Sequence, residues 1–313
     1  MTEVVVVGSF NVDHVWTLAR HPQVGETMAA TYATGPGGKG FNQATAAVRA
    51  GARTTFVCAV GNDEGGRLVH RLAEADSMAL HAAASTRPTG TAGIYVDLAG
   101  NNTIAFAAGA NADLAPGFVD RHAALLGGAR VVLAQMESPL EAVEAAFRHA
   151  RRGGALAILN PAPVDAEVPA ALLQQVDVAT PNETEFCAQL QRHCGQGAEP
   201  GGLAGMEAAP LHALCRRLLP HGTVVVTMGA AGCFVSHSPS RLHGDGDCFY
   251  RVPAAPAAVV DTTGAGDAFN GALAASLARD GACFADSVRF AARYAAMSTE
   301  RAGAASSMPR LHA

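Results

Sequence analysis

The sequence predicts an α/β fold: a parallel sheet joined by crossover helices, with a smaller β-sheet beside it. Three observations predict it. Continuous β-branched apolar runs alternate with alanine-rich segments of helical period. Two stretches break that alternation with short strand-like patterns, and most polar motifs stand directly after the apolar runs. With 49% hydrophobic and 16% charged residues among 313, the chain has material for one large core, so residues 1–313 are taken as a single domain. Aromatic residues are only 5%, and abundant Ala and Gly suit close helix-on-sheet packing.

The elements follow in order. "EVVVVGS" (3–9) reads as a strand buried on both faces, as do runs at 54–61, 129–135, 155–161, 176–182 and 223–229. Helical patterns lie at about 40–50, 64–75, 139–152, 183–193, 208–219 and 266–279. The two irregular stretches, about 11–36 and 89–107, are expected to form a small projecting sheet, the second with a hairpin turn at Gly100-Asn101-Asn102. Residues 194–207, rich in Gly and Pro, read as a mobile surface loop.

Composition narrows the partners. A net charge of −5 offers no basic surface for nucleic acid, so a small-molecule partner is expected. The start "MTEVVVVGSF" lacks a basic segment and reads as a strand rather than a signal peptide, and no apolar stretch is long enough to span a bilayer. Seven scattered cysteines without a C-x-x-C pair suit reduced thiols in the cytoplasm; no metal is assigned to Cys187, His193 and Cys194.

In open α/β sheets, ligands bind beyond the carboxyl ends of the strands. Polar groups after five runs (Ser9 to Asn11, Glu137, Asn160, Asn182 and Gly229) therefore point to one site. Two familiar nucleotide motifs fail. Ser9, Phe10 and Asn11 follow Gly8, where a dinucleotide fingerprint needs further glycines, and Phe41 and Asn42 follow Lys39, where a P-loop needs a hydroxyl.

"DTTGAGD" (261–267) is more informative. Small residues at Gly264, Ala265 and Gly266 let the backbone approach an anion, and the helix that follows supplies N–H donors to a phosphoryl group. Asp267, in the first helical turn, is favoured by the helix dipole and can take a proton from an acceptor hydroxyl. It reads equally well as an ordinary helix-start residue. In "GPGGKGFNQATAAV" (35–48), Gly37, Gly38 and Gly40 turn into a helix that displays Lys39 and Asn42. With Asn11, Asp13 and Glu137, these amides and carboxylates suit a polyhydroxylated ligand such as a sugar, although Asn42 also fits a helix cap. In "TPNETEF" (180–186), Asn182 and Glu185 can orient hydrated Mg²⁺ near nucleotide phosphates, or form a capping box; the two roles are compatible.

Together the motifs resemble the ribokinase (PfkB-type) carbohydrate kinase family almost end to end. The resemblance is carried by "GSFNVDH" (8–14), "GET" (25–27), "GGKGFNQA" (37–44), "ESPLEAV" (137–143), "NPAP" (160–163), "TPNETE" (180–185), "TMGAAG" (227–232) and "DTTGAGDAFNGAL" (261–273). It implies a three-layer α/β/α Rossmann-like sheet with a β-sheet lid often used for dimerisation. It also implies ATP as donor and ribose as acceptor, phosphorylated at the 5-hydroxyl. On this resemblance Asp267 is the base and Gly264, Ala265 and Gly266 form the anion hole. Asn11, Asp13, Gly38, Lys39, Asn42 and Glu137 contact the sugar. Asn182, Thr227, Gly229, Gly232 and Gly266 hold ATP, with Glu185 near Mg²⁺ through water. A K⁺ site is implied at Asp261, Thr263, Ser298, Arg301, Gly303 and Ser307.

Some features depart from the family pattern. Phe41 stands where a small residue is common, and is expected either to narrow the sugar pocket or to stack on a base. The lid hairpin and the loops near 194–207 and 237–249 are also distinctive. A nucleoside kinase, another sugar kinase or a non-catalytic sugar-binding relative are the alternatives to a kinase acting on ribose.

Overall fold

A computed structural model describes residues 2–195 and 197–311; Met1, Gln196, His312 and Ala313 lie outside the described residues, Gln196 within the Gly/Pro-rich stretch. The strands, in chain order, are β1 (Val4–Val7), β2 (Asn11–Leu18), β3 (Thr31–Gly37), β4 (Thr54–Gly61), β5 (Ala79–Ser85), β6 (Gly90–Asp97) and β7 (Asn102–Ala107). They continue with β8 (Val131–Gln135), β9 (Leu156–Asn160), β10 (Val178–Ala179), β11 (Thr223–Thr227), β12 (Cys233–Ser236) and β13 (Phe249–Val252). Nine form one sheet in the order β13-β12-β11-β10-β9-β8-β1-β4-β5, and four form a second, β3-β2-β6-β7. The large sheet is parallel from β11 to β5; β12 and β13 add an antiparallel edge.

Alternation along the buried strands sorts side chains onto two faces. Val4, Val6, Leu133, Ile158, Val178 and Val225 pack with helices Lys39–Arg49, Ala265–Leu277 and Phe284–Ser298. Val5, Val7, Val132, Leu159, Val224 and Val226 pack with helices Leu140–Gly153, Glu183–Cys194 and Ala208–Leu218 on the other side. Both faces are covered, which is why the strands read as unbroken apolar runs. On the first side, two helices approach closely at Gly271, where a Cβ would come within 2.3 Å of the Gln43 carbonyl oxygen. That contact brings the starts of helices Lys39–Arg49 and Ala265–Leu277 together.

The second sheet grows out of the end of β1. Seven register pairs join β2 to β3, from Asn11↔Gly37 to Thr17↔Thr31, and β6 runs parallel to β2 from Asn11↔Gly90. Period-two alternation sends Asn11 and Asp13 to one face and His14 and Trp16 to the other. On that other face Trp16 stacks on Tyr95 at 5.2 Å and lies 5.3 Å from Tyr32.

Several details differ from the expectations. The run at 176–182 pairs as a strand only at Val178–Ala179, because Pro181 has no N–H for the ladder. The lid turn lies one residue earlier: the Asp97 carboxylate accepts N–H bonds from Ala99 and Asn101, Gly100 is left-handed at φ 84°, and Asn102 already belongs to β7. Within 194–207, expected to be a mobile surface loop, Leu203 and Met206 contact the body of the protein. Leu203 is fully buried, and the Arg251 guanidinium donates to the Met206 carbonyl at 2.6 Å. Strands β5, β12 and β13 and the last long helix, Phe284–Ser298, have no counterpart in the sequence reading.

Candidate active site

The parallel strands end at one edge, and the polar residues of the site are continuations of their apolar rows. Gln135 and Asn160 are register partners at the ends of β8 and β9, and both continue the rows that face helices Lys39–Arg49 and Ala265–Leu277. Thr180 continues the row of Val178 in the same way. At this edge the core changes from packing to hydrogen bonding without changing face.

Asp267 sits in the first turn of helix Ala265–Leu277 and is buried, 7% exposed. Both carboxylate oxygens accept from side-chain amides: Asn42 Nδ2 donates to Oδ2 and Gln43 Nε2 to Oδ1, each at 2.9 Å. The helix is entered through Gly264, left-handed at φ 75°, where a Cβ would lie 3.0 Å from that of Ala304. Helix starts leave N–H groups without intrahelical acceptors. Here Ala265 N–H turns back to the Thr262 carbonyl and Ala268 N–H to that of Gly264; the N–H groups of Gly266 and Asp267 find no acceptor among the described residues. A cavity of about 190 Å³ opens at this turn, lined by Gly264, Ala265, Gly266 and Asp267 together with Lys39, Asn182, Glu185 and Thr227.

A second group of acids faces the same turn from the lid side. Ser9 Oγ donates to Glu137 Oε2 at 2.5 Å, and the Lys39 N–H donates to the same oxygen at 2.9 Å. Gly38, at φ 88°, lies against the backbone of Asn11. Asn11 Oδ1 accepts from Asn111 Nδ2 at 2.8 Å, and Asn111 also brackets the Phe10 peptide through its N–H and carbonyl. Burial, reinforced by the charges of Glu137 and Asp267, pushes the Asp13 carboxyl up to about 7. Burial works against the Lys39 ammonium, but Asp267, Glu137 and Glu185 together hold it above its ordinary value. Asn42 Oδ1 is buried with no hydrogen-bond partner. Such an atom costs free energy unless a donor reaches it, so it marks a place for one.

The nucleotide-side expectations divide. Asn182 caps helix Glu183–Cys194, with its side chain accepting from Glu185 N–H while Glu185 Oε2 accepts from Asn182 N–H: the capping box is real. Glu185 also lines the cavity; burial raises its carboxyl above the ordinary value, although Asn182 N–H and Lys39 oppose that. Thr227 bridges to Asn182 and lines the cavity as well. Gly229 and Gly232 shape the turn after β11, at φ 51° and 84°, outside the cavity wall.

The residues 261–307 behave similarly. Asp261 Oδ1 accepts from the Thr263 N–H and hydroxyl, and Oδ2 accepts from Gly303 N–H at 2.8 Å. Burial opposes its ionisation, yet these donors hold it below the usual carboxylate range. Ser298 and Ser307 are buried and spend their hydroxyls on the carbonyls of Ala295 and Ala304. Arg301 is exposed and lines a larger hollow of about 450 Å³ with Arg49 and Arg310, lined by none of the acids 13, 137, 185 or 267.

One expectation is overturned. Phe41 neither narrows the site nor offers a stacking surface: it is 1% exposed, edge-on to Phe10 at 5.1 Å and beside Phe56 at 5.9 Å. Helical spacing turns it into the core while Asn42, one position later, turns to the site. The residues missed from sequence are Gln43, Gln135, Thr180, Asn270 and Asn111. The period-two rows of β8 to β10, extended past their apolar ends, carry the signal for Gln135 and Thr180.

Comparison with known proteins places the chain in a family. The pfkB family carbohydrate kinase profile matches residues 1–311. A curated ribokinase of Haemophilus influenzae is 34% identical over 97% of this chain and 94% of its own. A bifunctional ribokinase/ribose-5-phosphate isomerase A of Fructilactobacillus sanfranciscensis is 37% identical over 99% of this chain, which spans only 55% of that protein. Among solved structures, the Arabidopsis thaliana ribokinase complexed with ribose and ATP superposes with a TM-score of 0.82 at 32% identity, covering 99% of this chain and 96% of that one.

Proposed function

We propose that this chain, which belongs to the pfkB family of carbohydrate kinases, transfers the γ-phosphoryl group of ATP to the 5-hydroxyl of D-ribose. The observation that carries the reading is Asp267: a buried carboxylate, oriented through both oxygens, in the first turn of a helix where the N–H groups of Gly266 and Asp267 find no acceptor among the described residues. The relatives' names and the ribose and ATP of the Arabidopsis enzyme support the substrates.

Asn11, Asp13, Asn42 and Glu137, with the turn at Gly38, hold the sugar. The unpartnered Asn42 Oδ1 and the Asp13 carboxylate accept from sugar hydroxyls. Asp267 takes the proton of the attacking hydroxyl as its oxygen bonds to the γ-phosphorus. The bond from that phosphorus to the bridging oxygen breaks, and ADP leaves with the electron pair. Charge spread over the moving group meets the N–H groups of Gly266 and Asp267 and the Lys39 ammonium, all preorganised.

Asn182 and Thr227 border the nucleotide, with the 229–232 turn behind them. The residues fit Mg²⁺ held through water: the cap uses only Oε2 of Glu185, leaving Oε1 to accept from a metal-bound water. When bound with ATP, the ion supplies charge neutralisation of the phosphates. Asp261, by joining the 261–263 turn to Gly303, supports a K⁺ site formed mainly by backbone carbonyls there, with Ser298, Arg301 and Ser307 on its flanks. The aromatic face of the lid, with Tyr32 54% exposed, and the wholly exposed β7 support a homodimer formed through the lid. No described helix is long and apolar enough to cross a membrane, and the unpaired cysteines fit a cytoplasmic enzyme.

The test is ADP release with Mg-ATP and K⁺ across ribose, deoxyribose, fructose, adenosine, inosine and cytidine. Ribose is expected to give the highest kcat/KM. A nucleoside preferred over ribose would overturn the acceptor while leaving the phosphoryl chemistry in place.

A further inference from the structure

Behind Asp267 lies a chain of buried amides: Asn160, Thr180 and Asn270 also line the cavity, whereas Gln43 and Gln135 lie behind it. Gln43 is fully buried on helix Lys39–Arg49. Its Nε2 donates to Asp267 Oδ1 at 2.9 Å and to Asn160 Oδ1 at 3.0 Å, while its Oε1 accepts from Gln135 Nε2 at 2.5 Å. Asn160 Nδ2 in turn donates to the main-chain carbonyl of Thr180 at 3.0 Å. Gln135 and Asn160 are the last residues of β8 and β9, and Thr180 directly follows β10.

The direction of this chain is fixed at one end. A main-chain carbonyl can only accept, so Asn160 must present its NH₂ to Thr180 and its oxygen to Gln43. Gln43 must then present its NH₂ to Asn160, and the second hydrogen of that NH₂ falls to Asp267. Rotating the Gln43 amide by half a turn would set its oxygen against the Asn160 and Asp267 oxygens and leave Gln135 Nε2 facing a donor. In a buried site each such mismatch is costly. The same threonine secures the other side of the helix start: Thr180 Oγ1 donates to Asn270 Oδ1 at 2.5 Å, and Asn270 Nδ2 donates to the Gly266 carbonyl at 2.8 Å. Thr180, directly after β10, thus anchors both the amide chain that reaches the carboxylate and the turn that carries the free N–H groups.

We propose that Gln43 is a positioning residue that transmits the orientation of the sheet edge to the Asp267 carboxylate, holding one oxygen so that the other side of the group meets the acceptor hydroxyl. The inference rests on the reading of Asp267 as the base. It assigns to Gln43 no contact with sugar or nucleotide, so its loss acts on the chemical step rather than on binding.

The experiment compares Gln43→Met and Gln43→Glu with the wild-type enzyme by steady-state kinetics and thermal melting. Methionine keeps the length and burial but cannot donate. Its kcat is expected to fall roughly 10- to 100-fold, with KM for ribose and ATP within about threefold; the melting temperature is expected to drop, because Asn160 Oδ1 and Gln135 Nε2 lose their partner, with the protein still folded at the assay temperature. Glutamate, which sets a second carboxylate against Asp267, is expected to fall at least as far. A kcat within about twofold of wild type in a folded Gln43→Met protein, or a loss confined to KM, overturns the proposal. Should Gln43→Met fail to fold, Gln135→Met removes only the hold on Gln43 Oε1; a smaller kcat loss supports the positioning role, and an unchanged kcat overturns it. Asp267→Asn, run alongside, separates the two layers. Near-normal turnover there defeats the base itself, whereas a dead Asp267→Asn beside a normal Gln43→Met defeats only the positioning role.

Discussion

Asn42 and Asp267, 225 residues apart in sequence, meet through a 2.9 Å hydrogen bond from the Asn42 amide to Oδ2 of the carboxylate. The bond joins the start of one helix to the start of another, and Asn42 Oδ1 is left buried without a donor. On the proposed function, one amide orients the base with its nitrogen and accepts from a sugar hydroxyl with its oxygen. Asn42→Leu, similar in size, is expected to lower kcat and raise the ribose KM together, each by roughly tenfold or more, because both functions are lost. A change in KM alone would show that the bond to Asp267 is idle.

Asp13 sets binding against stability. Its carboxyl, raised from 3.8 to about 7 by burial and then by Glu137 and Asp267, binds a proton more readily folded than unfolded. Its contribution to stability is therefore fully present below pH 3.8 and is lost as pH rises through about 7. Asp13→Asn is expected to melt higher than wild type at pH 8, with the gain shrinking at pH 5. The same substitution is expected to raise the ribose KM about 10- to 100-fold, as a charged acceptor is replaced. In the wild type, ribose affinity is expected to weaken as pH falls below about 7. Melting curves that keep their pH dependence in Asp13→Asn would assign it to another group.

Much of this was legible in sequence, for physical reasons. Strands buried on both faces must be continuously apolar, and the helices between them must carry an apolar stripe, so the six expected helices match the structure within one or two residues. The edge strand β5, "ALHAAAS", lacks β-branched residues, and its pairing with β4 comes from the tertiary fold. The motif residues were visible because glycine turns and carboxylates stand out beside apolar runs. Gln43 and Gln135 were not: a buried amide carries no local signature, and its meaning lies in partners 224 and 92 residues away. Phe41 misled for the converse reason, since only the helix's orientation tells that it faces Phe10 rather than the site.

The Asp261 carboxylate, held by Thr263 and Gly303, gives a test of cation dependence. Rates with K⁺ are expected to exceed those with tetramethylammonium, and Asp261→Ala is expected to abolish the difference. Equal rates of the wild type in the two salts would exclude a functional K⁺ site.

For the lid, Trp16→Glu places a charge among Tyr32 and Tyr95. Light scattering is expected to give the mass of two chains for wild type and of one for the variant. A monomeric wild type would refute association through this face.

The central claim is that Asp267 accepts the proton of the attacking hydroxyl. Asp267→Asn keeps the shape and can still sit beside Asn42 and Gln43, but it cannot act as a base. The direct measurement is its kcat with ribose and saturating Mg-ATP, together with ATP affinity by calorimetry. The account predicts a fall in kcat of about 10²- to 10⁴-fold with ATP affinity nearly unchanged. Turnover close to wild type would contradict it.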